Sequence, residues 1–65
     1  MNVQYKIMKI NGKRKIIIQH DLGKNWPYYT VAQMNAILNE NGYRIINDEY
    51  NIHGFSFEIV KIEEQ

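Results

Sequence analysis

The stretch from Tyr29-Thr30-Val31-Ala32-Gln33-Met34 to Asn41-Gly42-Tyr43 constrains this chain most, because it carries start and stop signals for a single helix. Thr30 suits an N-cap, and Gln33 three positions later completes the spacing of a capping box. Tyr29 before the cap and Met34 after it match a hydrophobic staple. Val31, Met34, Ile37 and Leu38 recur at helical spacing and form one apolar stripe. Gly42 can take the left-handed conformation that ends a helix, which lets Tyr43 fold back on the last turn.

Two strands are expected on each side of this helix. Val3, Tyr5 and Ile7 alternate with Gln4 and Lys6, and Asn11-Gly12 is a strong two-residue hairpin signal. Lys15 to Gln19 resumes as a strand, and His20 to Tyr28 reads as a connection punctuated by Gly23 and Pro27. Tyr43 to Asn47 is a short strand, Asp48 to Asn51 a polar turn, and Gly54 opens a longer strand from Phe55 to Ile62. Glu63, Glu64 and Gln65 are expected to fray. The chain therefore reads as one α+β domain over residues 1–65, a four-stranded sheet with one helix on one face, in the order ββαββ. That order resembles β-grasp domains, in which the two terminal strands would be central and parallel. The preference rests on the right-handed crossover that carries the helix over the sheet. An antiparallel meander of sequence neighbours is the alternative.

At 65 residues the chain is near the lower limit for a core without staples, and it has no cysteine to supply a disulfide or thiolate-metal cluster. Met1 to Ile10 alternates with polar residues, unlike the apolar core of a signal peptide. No run approaches the length of a membrane span, so a cytoplasmic protein without membrane partners is expected. The abundance of Ile, Asn and Lys is what AT-rich coding produces, and points to a low-GC bacterium or to a phage or other mobile element.

Catalysis finds little support. Ser56, between Phe55 and Phe57, has neither the Gly-x-Ser-x-Gly setting nor a base near it in sequence. His20 beside Asp21, and His53 after Asp48 and Glu49, match no zinc or calcium spacing. The four glycines are dispersed as single turn residues and make no phosphate cradle. The expectation is a non-enzymatic protein with no catalytic residue, metal, cofactor or small-molecule substrate.

Binding has more to stand on. From Met1 to Lys24 six basic residues oppose only Asp21, whereas the rest of the chain has four more acids than bases. Lys13, Arg14 and Lys15, with Lys9 on the neighbouring strand, form a basic hairpin that could touch phosphates. Cross-strand pairing with acidic residues of the last strand accounts for the same pattern without a ligand. Trp26-Pro27-Tyr28-Tyr29 displays aromatic residues of the kind found at binding hot spots, with Trp26 as either a contact or a lid on the core and Tyr28 as the freer ring. If the helix covers the face bearing Val3, Tyr5, Ile7, Ile16, Ile18, Ile45, Phe55, Phe57 and Ile59, the pleat sends Met8, Ile10, Ile17, Ile46, Val60 and Ile62 to the other face. So many apolar residues on an uncovered face suggest a contact surface. The leading expectation is a protein-binding module, self-associating or occupying a host protein as a mobile-element inhibitor or modulator, through Trp26, Tyr28, Ile10, Ile17 and Ile62. The alternative is a nucleic-acid-binding protein using Lys9, Lys13, Arg14 and Lys15.

Overall fold

The structure, a computed structural model, describes residues 3–63. Glu64 and Gln65, for which fraying is expected, lie outside the described residues. The order is β1 (Val3–Ile10), β2 (Lys13–His20), α1 (Trp26–Glu40), β3 (Tyr43–Asn51) and β4 (Gly54–Lys61), an α+β domain of order ββαββ. All neighbouring strands are antiparallel, and the sheet order is β1-β2-β4-β3. Neither strand arrangement expected from the sequence is the observed one. β1 is an edge strand that does not touch β4, and β4 lies between β2 and β3. Two tight hairpins are set side by side through β2 and β4, so the helix joins the inner strand of one hairpin to the outer strand of the other.

The β1–β2 hairpin turns at Asn11 and Gly12, with φ of 52° and 80°. Both central residues in the left-handed region give the turn whose twist suits a hairpin. The second hairpin turns at Ile52 and His53 instead of at residues 48–51. β3 continues past Asn47 because a bulge interrupts its pairing between Ile46 and Glu49. Asn47 has φ of 52° and its amide donates to Glu58 Oε2 at 2.6 Å. One extra residue reverses the inward–outward alternation. Ile45 and Tyr50, five apart, therefore both pack against the core.

The helix begins five residues earlier than its capping pattern suggests, at Trp26 instead of Val31. Asn25 precedes the first turn without a side-chain cap bond, and Pro27 lies inside that turn. A proline is tolerated there because the first N–H groups have no helical acceptor. Thr30 is therefore not a cap; its hydroxyl donates to the Trp26 carbonyl at 3.0 Å. Tyr29 makes no staple and is 72 % exposed. The stop signal is where it is expected. Gly42 has φ of 86°, and the amides of Asn41 and Gly42 donate to the carbonyls of Leu38 and Asn39. Gly42 O then accepts the Ile62 N–H at 2.8 Å, tying the helix end to the end of β4. Among the described residues nothing crowds the Cα of Gly42, so Gly42→Val should cost about 1–2 kcal/mol from backbone conformation alone. Chemical denaturation checks this, with a lower midpoint expected at unchanged slope.

The core is Ile18, Val31, Phe55 and Phe57, flanked by Ile16, Trp26, Met34, Ile45, Tyr50 and Ile59. It lies between α1 and β2, β4 and β3. The helix leans toward β3, where Asn35 Oδ1 accepts the Ile45 N–H at 3.2 Å and Tyr28 stacks on Tyr50. A helix about 10 Å wide cannot cover four strands spaced about 4.8 Å apart. β1 is the strand left uncovered.

Candidate functional site

Three surfaces follow from this geometry. The first is the helix side of β1. Val3, Tyr5 and Ile7 stand directly opposite His20, Ile18 and Ile16, so their side chains share the face of the core. They are nevertheless 41 %, 73 % and 59 % exposed. On the helix, Ile37 lies on the flank opposite Asn35 and Tyr28, the residues that contact β3, and is also exposed. The result is an apolar shelf, three residues long, beside the helix. Sequence reasoning assigned these residues to the covered face. The width of one helix set against four strands was the signal that could have found them.

The open face of the sheet carries the apolar residues expected there. Met8, Ile17, Ile46 and Val60 are half-buried, while Ile10 and Ile62 are exposed. The register does not bring them into a continuous patch. Met8 stands opposite Lys15, Lys15 opposite Glu58, and Glu58 opposite Ile46. Ile17 lies between Lys6 and Ser56. This face alternates charge and hydrocarbon: Lys15 and Glu58 separate Ile17 from Ile62, while Met8, diagonal to Ile17, is its one apolar link toward Ile10.

The basic hairpin divides between the two faces. Lys9 and Arg14 are directly paired on the helix side, and Lys13 and Lys15 belong to the open side. Lys9 and Arg14, with Lys13 at the hairpin end, line a groove of about 540 Å³ together with Leu38, Tyr43, Ile59 and Lys61. Glu63 lies at the same groove and lowers its positive charge. Cross-strand pairing with β4 is made by β2, not by β1, with Lys15 opposite Glu58.

The aromatic segment divides between core and surface, with Trp26 and Pro27 turned inward and Tyr28 and Tyr29 exposed. Trp26 is half-buried and lids the core, with its ring 5.0 Å from His20 and 5.8 Å from Phe55. Tyr28 is 57 % exposed, yet its ring stacks 4.6 Å from Tyr50, so it has a structural contact that its position in sequence does not announce. The Tyr50 hydroxyl donates to Asp48 Oδ2 at 2.8 Å. Burial, followed by the hydrogen bond and charge of Asp48, pushes the Tyr50 phenol up to about 12 from 10.0. The neutral phenol is thus favoured by folding. Its contribution is complete below pH 10 and is lost as pH rises toward about 12. Of the five tyrosines, Tyr50 should ionise late in a spectrophotometric titration. Tyr50→Phe should remove this component of the alkaline loss of stability.

The ends that carry the two histidines do meet, through the backbone. His20 N donates to His53 O at 2.9 Å. The His20 ring is buried, and its Nδ1 accepts the Leu22 N–H at 3.2 Å, which requires a lone pair on that nitrogen. Trp26 and Phe55 flank the ring, and Nε2 has no hydrogen-bond partner among the described residues. Those residues contain no group of three or more His, Cys, Asp or Glu side chains arranged to hold a metal ion. No helix among them is long and apolar enough to cross a membrane.

Comparison with protein families, curated proteins and solved structures finds no match to this chain.

Proposed function

We propose that this chain is a non-enzymatic protein-binding module whose contact surface is the apolar shelf of β1. The observation that carries the reading is the row Val3, Tyr5 and Ile7, in register with core residues yet uncovered by the helix. A row of this kind beside an open strand edge offers hydrocarbon and unpaired backbone groups together. The partner class is a host protein or a second copy. Small size and Ile-, Asn- and Lys-rich composition support the mobile-element part of the reading.

Charge placement tests this. Tyr5→Lys should leave the fold intact, because the side chain is already 73 % exposed, and should abolish association. Ile17→Lys, on the mixed open face, should leave association unchanged. Sedimentation over a concentration series and retention of proteins from lysate are the two readouts. Loss of association in Ile17→Lys but not in Tyr5→Lys would move the contact to the open face. A parent that neither self-associates nor retains a partner would end the reading.

Nucleic-acid binding is the second reading, favoured by Lys9, Arg14 and Lys61 lining one groove with Tyr43. It predicts oligonucleotide retention that falls steeply with salt, and absence of binding at about 50 mM salt would exclude it.

A further inference from the structure

Among the described residues only β2 pairs with β1, so the outer edge of β1 is open in a specific pattern. A two-residue turn with both φ values positive closes on the hydrogen-bonded pair Ile10 and Lys13. Alternation along the ladder then directs the backbone groups of Gln4, Lys6 and Met8 to β2, and those of Val3, Tyr5 and Ile7 outward. The residues that offer unpaired backbone are therefore the same residues that offer the apolar shelf. The opposite edge of the sheet is occupied differently. Asn35 takes the Ile45 N–H, and the bulge with left-handed Asn47 distorts the rest of β3.

We propose that β1 pairs antiparallel with β1 of a second copy about a two-fold axis at Tyr5, making one eight-stranded sheet with both helices on the same face. This rests on the shelf being a protein contact, and it names the occupant. The argument for a second copy is that Val3-Gln4-Tyr5-Lys6-Ile7 is complementary to itself when reversed. Val3 faces Ile7, Tyr5 faces Tyr5 and Gln4 faces Lys6, so hydrocarbon meets hydrocarbon and no lysine meets a lysine. Every facing pair of odd-numbered residues has outward backbone groups, giving about six new hydrogen bonds. Moving the register by two residues toward the hairpin sets Lys6 against Lys6 of the other copy. Like charges directly opposed in a sheet are unfavourable, which disfavours that register against the Tyr5-centred one. The shelf buries on the order of a few hundred Å² per copy, the low end for a specific contact, so the dimer dissociates on dilution.

The chain has no cysteine, so single-cysteine variants report one position each. In the proposed register, Val3→Cys and Ile7→Cys link to each other when the two proteins are mixed, and neither links efficiently to itself. Facing α-carbons in such a pair lie about 5.5 Å apart, within disulfide range. The mixed disulfide should form about tenfold faster than either self-linked product, or than a Lys6→Cys control. The parent should sediment as a dimer at high concentration, Tyr5→Lys as a folded monomer, and Ile17→Lys as a dimer. Equal cross-linking rates would overturn the register, and a dimer dissociated by Ile17→Lys would overturn the edge. A parent that stays monomeric while retaining another protein would overturn the second copy and leave the binding function standing.

Discussion

Gly54→Ala is expected to destabilise the domain by about 2 kcal/mol or more, although it adds only one methyl group. Gly54 is buried and begins β4, opposite Gln19 of β2. A Cβ built there runs into the carbonyl oxygen of Ile18, with the Gln19 α-carbon 3.4 Å away. The obstacle is backbone in the strand that carries core residue Ile18, so no side-chain rotation relieves it. Strands β2 and β4 must separate at the seam that joins the two hairpins. Gly42 offers the contrast: there space is free and the conformation is the constraint. Ala at Gly54 should therefore cost more than Ala at Gly42, as measured by denaturant midpoints. Equal midpoints for Gly54→Ala and the parent would mean that β2 and β4 approach less closely than described.

Phe57→Ala should bring the domain to the edge of unfolding. Phe57 is 0 % exposed, lies on β4 opposite Ile16, and has its ring centroid 6.1 Å from that of Phe55. Truncating a buried Phe costs about 3–5 kcal/mol through lost burial and the cavity left behind. At about 0.05–0.15 kcal/mol per residue, a chain of this length has about 3–10 kcal/mol in total. A thermal transition near or below room temperature, or none, is the expected result. Phe57→Leu keeps most of the volume and should retain a cooperative transition at a lower midpoint. If Phe57→Ala melted like the parent, the core would have to lie elsewhere.

Local patterns were legible wherever the physics is local. The Asn11-Gly12 turn depends on the conformational freedom of its own two residues, and it was found where the dipeptide stands. The helix stop at Gly42 has the same character. The helix start was misread because Thr30 with Gln33 has the spacing of a cap, while Pro27 reads as a loop residue and is equally at home in a first turn. The length of β3 was missed because a bulge at Asn47 looks, in one dimension, like the polar end of a strand. Alternation still assigned Ile16, Ile18, Ile45, Phe55 and Phe57 to the helix side correctly, since each lies within an uninterrupted stretch of strand.

The sequence by itself determined the element order ββαββ, the first hairpin turn, the helix stop and the alternation of the strands. Each depends on residues within a few positions of one another. Strand order was decided only in three dimensions, because β2 pairing with β4 joins segments separated by the whole helix. The surface we propose as the contact was decided there too. Val3, Tyr5 and Ile7 have the composition of core residues. They are exposed only because β1 is an edge strand and the single helix leans toward the opposite one. Pattern tells which way a side chain points; only packing tells whether anything lies above it.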